Sequence, residues 1–426
     1  MTEPSSSPAA ADADADAVVS SDPRRVLLFR HGCKRGSTSG ADAKTLAATL
    51  TSDGYLFRVS FLVAPPPAST ILYFDWPDGA PVSNGGYPYV LAAHGDSVLF
   101  EVRLLGWSSY RDDDVVRYFL YVAGAARPPS LLQLPAGDIR PAWSNDMKSQ
   151  QATGLLRRGE DEFLVAQLEV PEVTPRDWAE LCVLHPGRSS RWELKRVPIV
   201  VHGDGGGGGV GRTMEWWQTD ETVPVGDRFL CWVDYLRGFL MCDMAADEAS
   251  LKLRYVPLLV VPDPSTRDGH RPHMKCCRNL GAAGDDAVRL VIVDRRCRCG
   301  EPGKSTCARG LFAFTVTTWT LSLCTDGPMA AWVKGGVFGS DELWALRGYE
   351  GLPRVPVEFP VVSSDDPDIV YFVVREDHEG YNSSSDKMVW VIEVDMRTKA
   401  VGKIARYTSD YWATRHISTR LSVLTN

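Results

Sequence analysis

"RFLCWVDYLRGFLMCDM", residues 228–244, is the stretch whose reading decides the fold. It is mostly apolar, yet Asp234, Arg237 and Asp243 interrupt it, and Cys231 and Cys242 flank its middle. Two readings compete: acids and thiols gathered in a buried catalytic patch, or two strands and the turn between them. The rest of the chain favours the strands. Short β-branched and aromatic runs alternate with Gly, Pro, Asp and Ser clusters, which is the all-β pattern. With 28 Pro and 37 Gly, long helices would be interrupted repeatedly. Helical periodicity is nearly absent: "ADAKTLAATL" (41–50) has the pattern for about two turns, but the run after it reads as strand. On this reading "FLCWVD" is a strand, "YLRG" turns with Gly238 free to take positive φ, and "FLMCDM" starts the next strand. Asp234 falls at the turn, where a carboxylate accepts local backbone hydrogen bonds. Cys231 and Cys242 become small buried hydrophobes.

The same unit recurs. "RYFLYVAGAARPPSLLQLP" (117–135), "AELCVLHPGRSSRWELKRVP" (179–198) and "RGFLMCDMAADEASLKLRYVP" (237–257) each read as strand, polar connection, and a second strand ending in Pro. "GLFAFTVTTWTLSLCTDGP" (310–328) and "MVWVIEVDMRTKAVGKIARY" (388–407) are looser copies, and "YLFRVSFLVAPP" (55–66) is a degenerate sixth. The terminal prolines, Pro135, Pro198, Pro257 and Pro328, fall at nearly even intervals. A further apolar strand precedes most copies: 97–105, 162–170, 229–233, 288–294 and 368–376. Three strands in each such interval, with room for a fourth, is the arithmetic of a propeller blade. The expected fold is therefore all-β and β-propeller-like, with five to seven blades of antiparallel strands over residues 23–426. Residues 1–22, rich in Ala and Asp, read as a disordered acidic tail.

Composition narrows the function. The 426 residues carry 46 basic and 54 acidic side chains, a net charge of −8, which speaks against a general nucleic-acid or anionic-membrane binder. The N-terminus lacks the basic start and apolar run of a secretory leader, and nowhere do 18 apolar residues run together. The ten cysteines have no regular spacing, so they read as reduced thiols of an intracellular protein, cytoplasmic or nuclear.

Three motifs carry possible chemistry. "GGGGVGRT" (206–213) matches a phosphate-binding loop except that Arg212 stands where a lysine is needed. The planar guanidinium has a different reach, and the chain to Pro224 leaves only about two turns for the required helix. A slack glycine connection is the simpler reading. In "HRPHMKCC" and "CRCGEPGKSTC", His270, His273, Cys276, Cys277, Cys297, Cys299 and Cys307 hold one zinc-like knuckle, His273-x-x-Cys276. The second knuckle is badly spaced, so no metal is expected; Cys276 and Cys277 then sit on a strand before a turn at Gly281, with 295–309 a basic surface loop. No strained nucleophile elbow surrounds "HGDSV" (94–98) or "FRHG" (29–32), and His31 lacks the α/β sheet that a histidine phosphatase uses. Most of the 13 Trp, including Trp216, Trp217, Trp319, Trp332 and Trp344, read as blade packing, with a few left to anchor a partner.

"CWVDYLRGFLMCDM" with "LKLRYVPLLVVPDP" resembles the signature of a grass-expanded plant family, the domain of unknown function 1618. "SSDPRRVLLFRHG", "VRLVIVD" and "VWVIEVDMRTKAV" resemble it too, with the signature strongest over about 225–345. The resemblance implies no activity and no catalytic residues. The strand–loop–strand units, Trp192 and Pro198 above all, also look like the propeller domains that accompany F-box motifs, although no F-box helices precede the first repeat. The expectation is a non-enzymatic module presenting loops to a protein partner, with no catalytic, cofactor or metal residues. The alternative is an enzyme or small-ligand binder using the central channel. Inward carboxylates or histidines favour the channel, and an apolar aromatic patch on one face favours the partner.

Overall fold

The computed structural model describes residues 24–35, 42–76, 86–104, 115–124, 127–135, 150–171, 176–201, 214, 216–259, 274–295, 313–325, 327, 330–376, 388–408 and 416–421. The expected acidic tail lies outside them.

Among the described residues six blades follow one another along the chain, the third and fourth joined in one eight-stranded sheet. The first holds β1 (Arg24–Phe29), β2 (Cys33–Lys34), β3 (Ala47–Leu50), β4 (Leu56–Leu62) and β5 (Ser69–Asp75). Four antiparallel strands make the second blade: β6 (Pro88–His94), β7 (Ser97–Leu104), β8 (Val115–Val122) and β9 (Ser130–Gln133). The third has β10 (Thr153–Arg158), β11 (Glu162–Glu169), β12 (Trp178–Leu184) and β13 (Glu193–Val201). The fourth has β14 (Glu221–Val225), β15 (Phe229–Asp234), β16 (Gly238–Asp243) and β17 (Leu253–Pro257). β18 (Arg278–Ala282), β19 (Ala287–Arg295), β20 (Phe314–Ser322) and β21 (Val333–Gly339) form the fifth. β22 (Glu358–Val362), β23 (Ile369–Arg375), β24 (Val389–Asp395) and β25 (Ala400–Tyr407) form the sixth. The last strand, β26 (His416–Leu421), returns to the first blade and pairs antiparallel with β1 from Arg24↔Leu421 to Phe29↔His416.

The inner strands β26, β6, β10, β14, β18 and β22 neighbour one another in that order and close on themselves. That is a six-bladed propeller. The first blade is closed by both ends of the chain, in the order β26-β1-β5-β4-β3. The outer strands β13 and β17 also pair, in parallel, so the third and fourth blades share one ladder.

The core follows from this geometry. Each blade is apolar on both faces, so burial requires a neighbour on each side. Six apolar clusters result, one per seam, with Phe57, Phe100, Phe119 and Tyr121 between the first two blades. Leu155 and Phe163, Trp232 and Leu240, Phe239 and Leu290, Phe338 and Phe372, and Leu27 and Tyr371 mark the next five. Within β15 the side chains alternate: Leu230 and Trp232 join the seam with the third blade, Cys231 and Val233 the seam with the fifth. Burial on both faces is why this strand reads as a continuous apolar run rather than a one-sided alternation. The Trp232 indole N–H donates to Ala152 O at 2.8 Å, binding the fourth blade to the third.

Several expectations need correction. Gly238 has no positive φ; it opens β16, where a Cβ would overlap Val256 O and stand 2.7 Å from the Tyr255 ring. Residues 41–50 form a 3-10 turn (Ala43–Thr45) and then β3, because Asp42 caps one turn and the following run pairs with β4. Among its described residues the unit at 310–328 holds one strand, its partner starting only at Val333. Residues 55–66 likewise hold only β4. Cys276 and Cys277 end a helical turn, Met274–Cys277, and Gly281 lies inside β18.

Candidate binding site in the central channel

All inner strands start on one side of the ring, here the upper side, and all but β26 end below in a turn to the second strand of the blade. Those lower turns are short: 95–96, 159–161, 226–228, 283–286 and 363–368. Four carry a glycine at positive φ followed by an acid: Gly95-Asp96 (55°), Gly159-Glu160 (62°), Gly226-Asp227 (55°) and Gly284-Asp285 (95°). Only glycine adopts that conformation without strain. The signature recurs at nearly even intervals and marks the inner strand of four successive blades. It is visible in "HGDSV", "RGEDE", "VGDRF" and "AGDDA", and it counts blades independently of the terminal prolines.

The inner strands are short and rich in small or polar residues because they crowd the axis. A Cβ on Gly154 would stand 2.5 Å from Thr222 Cγ2, and one on Gly281 would stand 2.6 Å from Val362 Cβ. They enclose a cavity of about 450 Å³ that receives side chains from all six blades.

At the upper end Arg30, just past β1, reaches the opposite blade. It donates to Glu221 Oε1 at 3.0 Å and to the carbonyls of Val90 and Leu91 at 3.2 and 3.0 Å. Glu221 Oε2 accepts the Tyr235 hydroxyl at 2.8 Å and Asn279 Nδ2 at 3.5 Å. Leu280 N–H donates to the Tyr235 hydroxyl at 3.1 Å, and Val362 N–H to Asn279 Oδ1 at 3.0 Å. Burial, reinforced by Glu221, raises the Tyr235 pKa well above the phenol range, so the hydroxyl stays a donor. One carboxylate thus gathers groups from opposite sides of the ring.

The lower end is stitched seam by seam. Thr419 Oγ1 donates to Gly95 O at 3.0 Å, Arg157 N–H to His94 Nδ1 at 2.9 Å, and Arg158 Nε to Asp227 O at 3.2 Å. Gly226 lies against the backbone of Asp285, Ser364 N–H donates to Ser418 Oγ at 2.9 Å, and Arg420 pairs with Asp365. Burial first, then the Arg157 charge, pushes the His94 imidazole down to about 4, against the opposing pull of Asp227 and Asp285. The closing seam is held at its upper end as well, where Ser69 Oγ bridges His416 Nε2 at 2.7 Å and the Tyr407 hydroxyl at 2.9 Å and so joins the last blade to the first.

The acid and thiols of residues 228–244 are structural. Asp234 is fully buried, and its oxygens accept Leu236 N–H at 2.9 Å, Gln218 N–H at 3.1 Å and Arg237 Nη1 at 3.1 Å. Burial drives the Cys231 thiol far up and the Cys242 thiol to about 12, so neither ionises near neutrality.

The other sequence candidates lie outside the described residues or do not line the channel. Residues 206–213, Arg212 among them, lie outside the described residues; the strand-like "VPIVV" before them belongs to β13, and the chain after them enters β14, not a helix. His270, His273, Cys297, Cys299 and Cys307 also lie outside, as does most of the 295–309 loop. Burial raises Cys276 to about 11, helped by Glu358. Among the described residues no three His, Cys, Asp or Glu gather as a metal site. No helix among them is long and apolar enough to cross a membrane. His31 bridges to Tyr89, their rings edge-on at 5.1 Å. Trp217, Trp319, Trp332 and Trp344 pack partly buried, and Trp216 is 63% exposed.

Residues 232–371, from within β15 to within β23, match the family described as Protein of unknown function (DUF1618), in agreement with the resemblance read from the sequence. No curated protein matches the chain at a significant level. Among solved structures, the WD40 domain of SCAP from fission yeast is 10% identical, covering 86% of this chain and 77% of its own, with a TM-score of 0.32. The β-propeller domain of the Trilobed protease from Pyrococcus furiosus is 9% identical, covering 76% and 95%, with a TM-score of 0.28. The assignment of six blades rests on the strand pairings and the closed inner ring, not on these superpositions.

Proposed function

We propose that this chain, with its DUF1618 region, binds a small polar ligand in the central channel. The carrying observation is the convergence of His94, Arg157, Glu221, Asp227, Asn279, Asp285 and Asp365 on one cavity of about 450 Å³. A volume of that order, with a few placed polar groups, is typical of small-molecule sites. Inward carboxylates and histidines are also the feature that favours the channel over a purely adaptor role. Thermal denaturation against a panel of small polar compounds tests this, because a ligand that binds only the folded state raises the melting temperature by mass action. Crystals grown with each hit then locate it. The expected position is the channel; hits seated only elsewhere, or no hits, reject the proposal.

A second reading, a protein partner on the upper side, has its own support. The links that start and finish there are long, among them 134–152, 202–220 and 258–277, whereas the turns from inner to second strands below are short. Insertions confined to one face of a repeat protein often mark its binding face. Trp216 and Tyr87, 63% and 51% exposed, stand on the links that enter β14 and β6 from that side. The Trp216→Ala and Tyr87→Ala pair is expected to abolish such an association while leaving channel binding intact. Full retention of partner binding by the pair would count against this face.

A further inference from the structure

We propose that the ion pair of Arg30 and Glu221 is a bar that shuts the upper end of the channel, so that a ligand enters and leaves by the lower mouth. This rests on the reading of the channel as a ligand site and gives that site its route of access.

The span of the bar is the first observation. Arg30 leaves the first blade, is steadied by the carbonyls of Val90 and Leu91 on the second, and meets Glu221 on the fourth at 3.0 Å. Asn279 of the fifth blade donates to the same carboxylate at 3.5 Å and accepts Val362 N–H of the sixth at 3.0 Å. The Tyr235 hydroxyl holds Glu221 from the side, at 2.8 Å. Thr222, the next residue of β14, donates to Gln151 O at 2.8 Å and ties in the chain that enters the third blade. All six blades are thus joined at this level, and the two charged side chains are only 15% and 17% exposed. A solute crossing here has to part a mostly buried ion pair and leave both charges unmatched, which is costly.

The second observation is where the cavity stops. Inner strands run downward, so their first residues are the upper ones. The wall takes residues 91–95 from the second blade but not 88–90, and 279–282 from the fifth but not Arg278. From the sixth it takes Val361 and Val362 but not 358–360, and from the third Arg157 and Gly159, at the lower end of β10. On the first and fourth blades the uppermost wall groups include Arg30 and Glu221 themselves. The lower turns of the other five blades, by contrast, all contribute to the wall. Among the described residues the cavity runs from those turns up to the bar and ends there.

The test needs no ligand. Ile417→Cys places a thiol on the half-buried channel wall of β26, and its modification by methyl methanethiosulfonate is followed by mass spectrometry at that position. Ser364→Trp and Asp285→Trp, at two exposed rim residues, together obstruct the lower mouth. With both in place the rate is expected to fall about tenfold or more, to what local opening of the blades allows. Adding Arg30→Ala, or Glu221→Ala should the first variant fold poorly, is expected to restore it. Circular dichroism of each chain shows that it is folded. An obstructed chain modified at the unobstructed rate, or one that stays slow in both bar variants, overturns the inference. A channel that takes no compound removes the ligand reading and leaves the bar standing. Modification through the upper end with the bar intact removes the bar and leaves the ligand reading standing.

Discussion

His94 shows how one residue reports its setting. Its ordinary pKa of 6.5 falls to about 4 in the folded chain, through burial and then Arg157. Between those values the unfolded chain binds the proton and the folded chain does not. Stability from this group is therefore whole above pH 6.5 and is lost as the pH falls toward 4, a loss of roughly 3 kcal/mol. His94→Gln removes the titration. Melting temperatures measured from pH 7 to 4 are expected to fall more steeply for the native chain than for the variant; parallel curves would show that the imidazole does not titrate in this window. Nothing in "AAHGDSV" announced this, because the charge that reinforces burial arrives from Arg157 on the next blade.

Strands and turns read out less directly than their residues imply, and two glycines show why. Gly159 turns the chain at φ +62° with no atom near a would-be Cβ, so Gly159→Ala should cost only the left-handed conformation, about 1–2 kcal/mol. Gly238 has ordinary backbone but sits against Val256 O and the Tyr255 ring. Gly238→Ala must move a neighbouring strand, and about 1–3 kcal/mol of overpacking strain is expected. In urea both variants should unfold at lower midpoints with unchanged slope. A Gly238→Ala midpoint equal to that of the native chain would mean that β17 yields freely. The second and third strands of the blades were mostly legible, since both their faces are largely buried and their apolar runs stand out, whereas the partly exposed fourth strands were read from their place in the repeated unit. The inner strands were not. "TGLLRR", "ETVPV" and "RNLGA" are short and mixed in polarity because they face a channel on one edge and crowd each other on the sides.

The whole molecule depends on closure, and its first blade needs strands from both ends of the chain. Across the ring, Arg30 and Glu221 hold opposite blades, each side chain about one-sixth exposed. Removing either partner leaves the other partly buried without its countercharge, which is why single loss is costly. In a double-mutant cycle, Arg30→Ala and Glu221→Ala are each expected to destabilise, with a coupling on the order of 1–3 kcal/mol between them. Additive effects would mean that the pair is incidental to closure.

The sequence by itself determined the strand content and the regular recurrence of the strand unit. It also determined the fate of Cys231, Asp234 and Cys242, since burial on both faces leaves its mark on every residue of a strand. It carried the glycine–acid signature of the lower turns as well. Only the tertiary structure decided that the blades number six, that β26 completes the sheet begun by β1, and that Glu221 on the fourth blade meets Arg30 from the first. It alone placed Asp227 and Asp285, which belong to different blades, on adjoining turns below His94. The reason is physical: local propensity and burial act on neighbours in the chain, whereas a channel is made where strands distant in sequence converge on an axis.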